Sequence, residues 1–511
     1  MVERESGVRV WFFGSSYVRG KSTLTASQRL FRAAGYFSLC LTFLVAQPIV
    51  AQSEDQAGAP RIEIPPAIKR ILVGHRLPPD SYSFLVQQVD SPTALLAVNP
   101  ALPLNPASTI KTLTTLAALE VLGPAYTWET SVYVLGKLED SVLRGDLLLQ
   151  GGGDPSLVED SFRSLLKTLR RSGIKQITGD LILDGGYFDP AVSNGPTIDN
   201  KDDRAYNVHP HALLTNYQTV NFYFYPLRTG QVIIRTDPEL PNLNISNKLR
   251  IRPGRCGGYQ RGISFMPDPA DANGVIFSGN YPSGCGGYLM VRAVLDAPTY
   301  TYGLFQQLWR ETGGEFAGAM RLGQAPEGRN PVLVWPSRPM SDVIKQINKY
   351  SNNLMTRHLL LTLGAERYGS PATTEKGIQV IHDYLNDHGI DTNGLVIING
   401  AGLSRESRIT TQLMNQVLCL GYASSYMPEF VASLPLSGID GTMHNRLRNP
   451  ATRGRMHIKT GTIDKVSAIA GYVYARSGKH YAVSAILNHE LADRGPGVEL
   501  MDALLRWVYQ Q

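Results

Sequence analysis

A serine and a lysine three residues apart lead into an apolar helical run, and no other stretch of the 511-residue chain restricts its folding as strongly. Over residues 112–122, Leu113, Leu116, Ala117, Leu119 and Leu122 recur at a spacing that places one apolar stripe on a helix. Pro106 suits the entry to that helix, and Ser108 falls in or near its first turn. Positions three apart share a helix face, so the Lys111 amine is within reach of the Ser108 hydroxyl. A serine is a weak nucleophile until a base takes its proton, and a neutral lysine can be that base. Burying the helix would hold the pair rigidly, and the helix N-terminus adds partial positive charge beside it. The spacing alone proves little. About two such matches are expected by chance in a chain of this length, and Ser164/Lys167 and Ser172/Lys175 are two more, in a charge-rich segment that reads as a solvated helix and turn.

With 43% hydrophobic and 18% charged residues, the composition is that of an ordinary globular protein with room for several domains. Nucleic acid is not indicated. Arg4, Arg9, Arg19, Lys21, Arg29 and Arg32 against Glu3 and Glu5 place most of the net charge of +6 in residues 1–51, and no basic patch stands out beyond them. That basic stretch runs into an apolar segment from Tyr36 to Val45, too short to span a bilayer comfortably and followed by Pro48. A secretory signal over residues 1–51, cleaved after Ala51, is the expectation, with retention as an anchor the alternative. Cysteine usage agrees with export to the periplasm. Cys40 leaves with the signal, Cys419 sits in an apolar helical run as a core thiol, and the twin settings Cys256-Gly257-Gly258 and Cys285-Gly286-Gly287 favour a disulfide. His209, His211 and His457 lack metal-ligand spacing, so no metal and no cofactor is expected.

After a linker at 52–61, residues 62–76 read as an amphipathic helix, and 82–89 with 94–98 as a hairpin turning at Asp90-Ser91-Pro92. From about Tyr126 to Pro336 short apolar runs alternate with Gly, Pro, Asn and Asp turns, with helices expected only at 162–171 and 302–313. Helical periodicity returns at Met340, with helices near 374–388 and 411–423, strands at 456–462, 469–474 and 481–487, and a closing helix at 498–509. The fold class is therefore α/β of the α+β kind: helices plus an antiparallel sheet over 62–128 and 337–511, interrupted by a β-rich insert at 129–336.

Two further elements follow Ser108 and Lys111. Ser351-Asn352-Asn353 lies between two helical runs, where side chains can enter a cleft, and Lys459-Thr460-Gly461-Thr462 lies on a strand. Their order, and the element each occupies, carries more weight than any one of them. Ser-x-x-Lys, Ser-x-Asn and Lys-Thr-Gly in this order resemble the three signatures of penicillin-binding proteins and serine β-lactamases. The long insert between the first two resembles the class C low-molecular-mass penicillin-binding proteins, the D-alanyl-D-alanine carboxypeptidase/endopeptidase family. Gly152-Gly153-Asp154-Pro155, Gly400-Ala401-Gly402-Leu403-Ser404-Arg405, Leu434 to Thr442 and Ala470-Gly471-Tyr472-Val473 extend the resemblance.

The resemblance implies a β-lactamase/transpeptidase-like domain that hydrolyses peptidoglycan stem peptides and is acylated by β-lactams. Ser108 would be the nucleophile, Lys111 its base, and Ser351 the relay to the departing amine. Asn353 would hold the substrate backbone, and Lys459, Thr460, Gly461 and Thr462 would line the strand that receives the terminal carboxylate. The N–H groups of Ser108 and Thr462 would form an oxyanion hole. Asn399 and Ala401 depart from the family's usual Asp and Ser, so their side chains are not expected to be catalytic. For Arg405, a carboxylate of the stem peptide competes with an exposed salt bridge; for Asp202 and Asp203 an acidic loop is the default. Competing readings are a β-lactamase-like hydrolase and a non-catalytic wall-binding protein. A homodimer and a peripheral association with membrane or wall stay open.

Overall fold

Five antiparallel strands order the two ends of the chain into one sheet, running Met456–Ile463, Val466–Tyr474, His480–Asn488, Tyr82–Gln88 and Ala94–Val98. The computed structural model describes residues 9–10, 63–257 and 262–511; the expected signal and linker lie outside these, apart from Arg9 and Val10. Along Val466–Tyr474 the side chains alternate between two cores, as the pleat requires. Ala468, Ala470 and Tyr472 enter the core around the Lys111–Leu122 helix, whereas Ile469 and Val473 meet Leu500 and Leu504 of Pro496–Tyr509. Pro66–Gly74 packs on that same second face. The sheet is thus covered on both sides, which is why its central strands are buried almost throughout.

The segment Ala107–Ile110 is a 3₁₀ turn and Lys111–Leu122 an α-helix. The expected single apolar stripe is corrected: every residue from Lys111 to Leu119 is buried. Its three threonines survive burial because each hydroxyl finds a main-chain acceptor. Thr112 bonds the Thr109 carbonyl at 2.7 Å, Thr115 that of Lys111 at 2.7 Å, and Thr114 that of Gly400 at 2.8 Å. Around this helix stand Met340–Tyr350, Asn353–Tyr368, Thr374–Asp387, Thr411–Ala423 and the short Met427–Ser433, which sequence periodicity does not resolve.

The β-rich stretch leaves and returns at one place, because its first strand, Glu129–Glu139, pairs with its last, Leu333–Pro336, in antiparallel register. This keeps the Lys111–Leu122 and Met340–Tyr350 helices side by side despite more than 200 intervening residues. Glu129–Glu139 continues into Val142–Gly151, then Gln176–Ile177 and Leu181–Asp184, with the Glu159–Arg171 and Ala297–Glu311 helices packed against them. Two three-stranded sheets complete the stretch, one of Asn244–Arg252, Gly274–Pro282 and Ile263–Pro267, the other of Tyr288–Arg292, Val220–Pro226 and Val232–Asp237. The expected disulfide joins Cys256 to Cys285. Ser164 and Lys167, the chance match, lie exposed on Glu159–Arg171. No helix among the described residues is long and apolar enough to cross a membrane.

Candidate active site

The three motifs meet where the start of the Lys111–Leu122 helix faces the strand Met456–Ile463. Ala107, just before Ser108, has φ +44°, a left-handed conformation that costs a non-glycine residue about 1–3 kcal/mol. Asn105, 4% exposed, holds this turn. Its carbonyl-side oxygen accepts from Ala107 N at 2.9 Å, its amide donates to the Ser404 carbonyl at 2.8 Å, and its main chain is bonded on both sides by Asn488. Gly402 passes directly over the turn: a Cβ there would stand 1.9 Å from the Ala107 carbonyl oxygen.

Lys111 is wholly buried, yet its amine has three partners: Ser108 Oγ at 2.9 Å, Asn353 Oδ1 at 2.7 Å and the Ala401 carbonyl at 2.5 Å. Burial, then the nearby Lys459 and Arg357 cations, hold its pKa well below the ordinary lysine value. Asn353 arrives because Ser351, in the left-handed region at φ +59°, ends Met340–Tyr350, and Asn352 caps the next helix by accepting from Met355 N at 3.0 Å. That kink aims Ser351 and Asn353 at the cleft. The Asn353 amide nitrogen in turn donates to the Tyr206 carbonyl of the insert at 3.2 Å.

Lys459 alternates with the core residue Ile458, so it faces the cleft, opposite Ala470. It is also fully buried, and burial brings its pKa down to about 7. Its amine donates to Ser351 Oγ and to the Thr460 carbonyl, each at 2.9 Å. Gly461 permits the strand to close on the helix start: an added Cβ would lie 2.6 Å from the Pro106 carbonyl and 3.0 Å from Ser108 N. Thr460 Oγ1 bonds Thr442 Oγ1 at 2.7 Å, and exposed Thr462 follows on the strand.

Several contributors were beyond sequence reading. Ala401 takes part through its carbonyl, held by Asn399 Oδ1 accepting from its N–H at 3.0 Å. Tyr206 acts through its main chain, and Asn105 carries no motif. Lys349, 8% exposed at its side chain, anchors the Leu434–Thr442 stretch through Asp440 at 2.8 Å and the Leu434 carbonyl at 2.6 Å. Arg405 is an exposed arginine paired with Asp464. Asp203 pairs with Arg292, while the rings of His211 and His457 are tied to the Leu213 and Val431 carbonyls. Cys419 is half-buried beside the helical core.

The model of the D-Ala-D-Ala carboxypeptidase 3 (S13) family matches residues 66–510. A D-alanyl-D-alanine carboxypeptidase of Actinomadura sp. (strain R39) is 26% identical over 458 residues, covering 86% of this chain and 83% of that protein. The D-alanyl-D-alanine carboxypeptidase DacB of Haemophilus influenzae is 24% identical over 432 residues, 79% of this chain and 85% of its own. The crystal structure of penicillin-binding protein 4 of Haemophilus influenzae shares the fold, with a TM-score of 0.75 at 23% identity over 87% of this chain and 99% of that one. The same protein complexed with a β-lactam gives 0.71. This chain belongs to the D-Ala-D-Ala carboxypeptidase 3 (S13) family and is a serine D-Ala-D-Ala carboxypeptidase.

Proposed function

We propose that Ser108 is the nucleophile and Lys111 its base, acting on peptidoglycan stem peptides in the periplasm. One observation carries this reading: two of the three neighbours of the Lys111 amine, the Ala401 carbonyl and Asn353 Oδ1, can only accept. A neutral amine has two N–H groups and one lone pair. With both N–H groups spent on these acceptors, the lone pair points at the Ser108 hydroxyl, 2.9 Å away. Burial and the neighbouring cations favour that neutral form.

Ser108 Oγ then attacks the carbonyl carbon of the penultimate D-alanine as its proton passes to Lys111. The C–N bond breaks, the terminal D-alanine amine leaves with a proton delivered through Ser351, and an ester on Ser108 remains. The contact of Ser351 with Lys459 supports this relay. The approach of Gly461 to Ser108 N supports an oxyanion hole made by the N–H groups of Ser108 and Thr462. Asn353 would hold the peptide backbone, while Lys459, Thr460 and Thr462 would bind the terminal carboxylate. Water hydrolyses the ester and restores Ser108. A β-lactam would acylate the same oxygen and stay there.

Intact mass after incubation with benzylpenicillin tests this reading. The expected result is a stable adduct of one drug molecule, absent from Ser108→Ala. Rapid drug turnover without an adduct would instead indicate a β-lactamase-like hydrolase, and neither adduct nor turnover would indicate a wall-binding protein.

A further inference from the structure

The two three-stranded sheets of the insert face each other across one core, where Phe222 and Phe224 of Val220–Pro226 meet Phe277 of Gly274–Pro282. Side chains that alternate away from that core form two outer faces, and these differ in kind. One carries exposed Tyr225 and Leu289. The other belongs to Asn244–Arg252, Gly274–Pro282 and Ile263–Pro267. Leu249, Ile251 and Phe265 turn inward there, so Lys248, Arg250 and Arg252 turn outward, exposed and in line on an edge strand. Their spacing along the strand is about 6.6 Å. The register places Ser278 beside Lys248 and Asn280 beside Arg250. None of the three strands holds an acidic residue. Arg252 Nε donates to Asn280 Oδ1 at 3.4 Å, and among the described residues no carboxylate pairs with any of the three cations.

We propose that this outer face docks the protein on an anionic lipid bilayer, with Lys248, Arg250 and Arg252 meeting the headgroup phosphates. One cation is enough to guard a sheet edge against pairing with another chain. Three in line, unpaired and beside uncharged neighbours, instead make a positive field that complements a negative surface within about 10 Å. The row is held straight and fixed at its end. Pairing with Gly274–Pro282 runs from Asn244 to Arg252 without a bulge, Ser283 N donates to the Arg252 carbonyl at 2.8 Å, and the Cys256–Cys285 disulfide follows. Met266 decides the occupant. It is 46% exposed on the same face, with Ile276 opposite it in the register. An apolar side chain beside the cations can enter the boundary between headgroups and acyl chains, whereas a soluble polyanion offers it nothing. Each cation near an anionic leaflet strengthens binding about fivefold, so the three together account for about a hundredfold. No residue of this face belongs to the Ser108 cleft, so the proposal stands apart from the reading of Ser108 as the nucleophile.

Co-sedimentation of the full chain with vesicles of phosphatidylglycerol and phosphatidylethanolamine, against vesicles of phosphatidylcholine alone, tests the proposal. The variants are the triple substitution Lys248→Gln, Arg250→Gln, Arg252→Gln, the single Met266→Glu, and Tyr225→Ser with Leu289→Ser on the opposite face. Wild type should bind the anionic vesicles only, and the triple variant about a hundredfold more weakly, a difference that added salt should erase. Met266→Glu should weaken binding by itself, and the opposite-face variant should bind as wild type. All of them carry the same residues 1–51, so binding by that basic segment cancels in the comparison. A melting midpoint matching wild type shows that a variant is folded; if the triple variant fails this, Met266→Glu decides. Equal binding by wild type and the folded cation variant overturns the proposal. So does equal binding to both kinds of vesicle, or binding to neither. Loss of binding only in the Tyr225 and Leu289 variant moves the docking surface to the other face. Retention on heparin without binding to vesicles makes the partner a soluble polyanion and overturns the proposal as well.

Discussion

Lys111 and Lys459 are both 0% exposed in one cleft, an arrangement that should be visible in stability as well as in catalysis. An unfolded lysine keeps its proton to about pH 10.4, whereas burial brings Lys459 down to about 7. Below pH 7 the group is protonated in both states and its burial penalty is fully present. Between there and the unfolded value the unfolded chain binds more protons, so stability rises with pH across that window. Lys111, shifted in the same direction, adds to the slope. Denaturant unfolding at pH 7, 8 and 9 should therefore give increasing stability. Lys459→Met should lose up to one proton's worth of that slope, about 1.4 kcal/mol per pH unit. An identical slope in wild type and variant would mean that Lys459 does not titrate in this range. The carboxylate-binding role proposed for Lys459 predicts that the same substitution slows D-alanine release about a hundredfold or more.

Among the elements, Met456–Ile463 carries the most demanding packing, because Gly461 must let it pass against the start of the Lys111–Leu122 helix. Gly461→Ala forces a methyl against main-chain atoms of Pro106 and Ser108, which cannot rotate away. We expect a loss of about 1–3 kcal/mol in stability and a fall in acylation rate of about a hundredfold from displacing the strand. Benzylpenicillin acylation kinetics, read with a melting curve, check both; wild-type kinetics would show that the close approach is dispensable. The elements that frame this contact were legible in sequence, since periods of 3.6 and 2 mark the helix and strand faces, and three spaced motifs fall on them. What escaped was chemistry carried by the main chain. Ala401 and Tyr206 act through carbonyls, which any residue supplies, so no side-chain pattern marks them. The left-handed Ala107 was equally hidden, because alanine is not the residue that such a φ favours. The expected apolar stripe missed the buried threonines because their hydroxyls are satisfied only by the fold.

Across the whole molecule, the β-rich stretch is bound to the helices around Lys111–Leu122 at several points rather than tethered by its ends. His358 of the Asn353–Tyr368 helix is fully buried, with Nδ1 3.0 Å from the Gly153 carbonyl and its ring edge-on to Phe188 at 5.3 Å. Tyr206 and Val208 reach Asn353 and Arg357 on the same helix, and Asp189 and Ala372 are joined by a main-chain bond of 2.9 Å. Residues from Ile64 to Gln511 accordingly form one compact unit. Two tryptophans can report on its two regions: buried Trp309 lies in the insert and Trp507 in the C-terminal helix. Single-tryptophan versions should melt at the same temperature by fluorescence, and that temperature should coincide with loss of acylation. His358→Ala removes a buried ring and its bond at the junction, a loss of about 3–4 kcal/mol, and should lower the common midpoint without splitting it. Were Trp309 and Trp507 to report separate transitions, the insert would be folding on its own, and its hold on Asn353 and Arg357 would be too weak to shape the site.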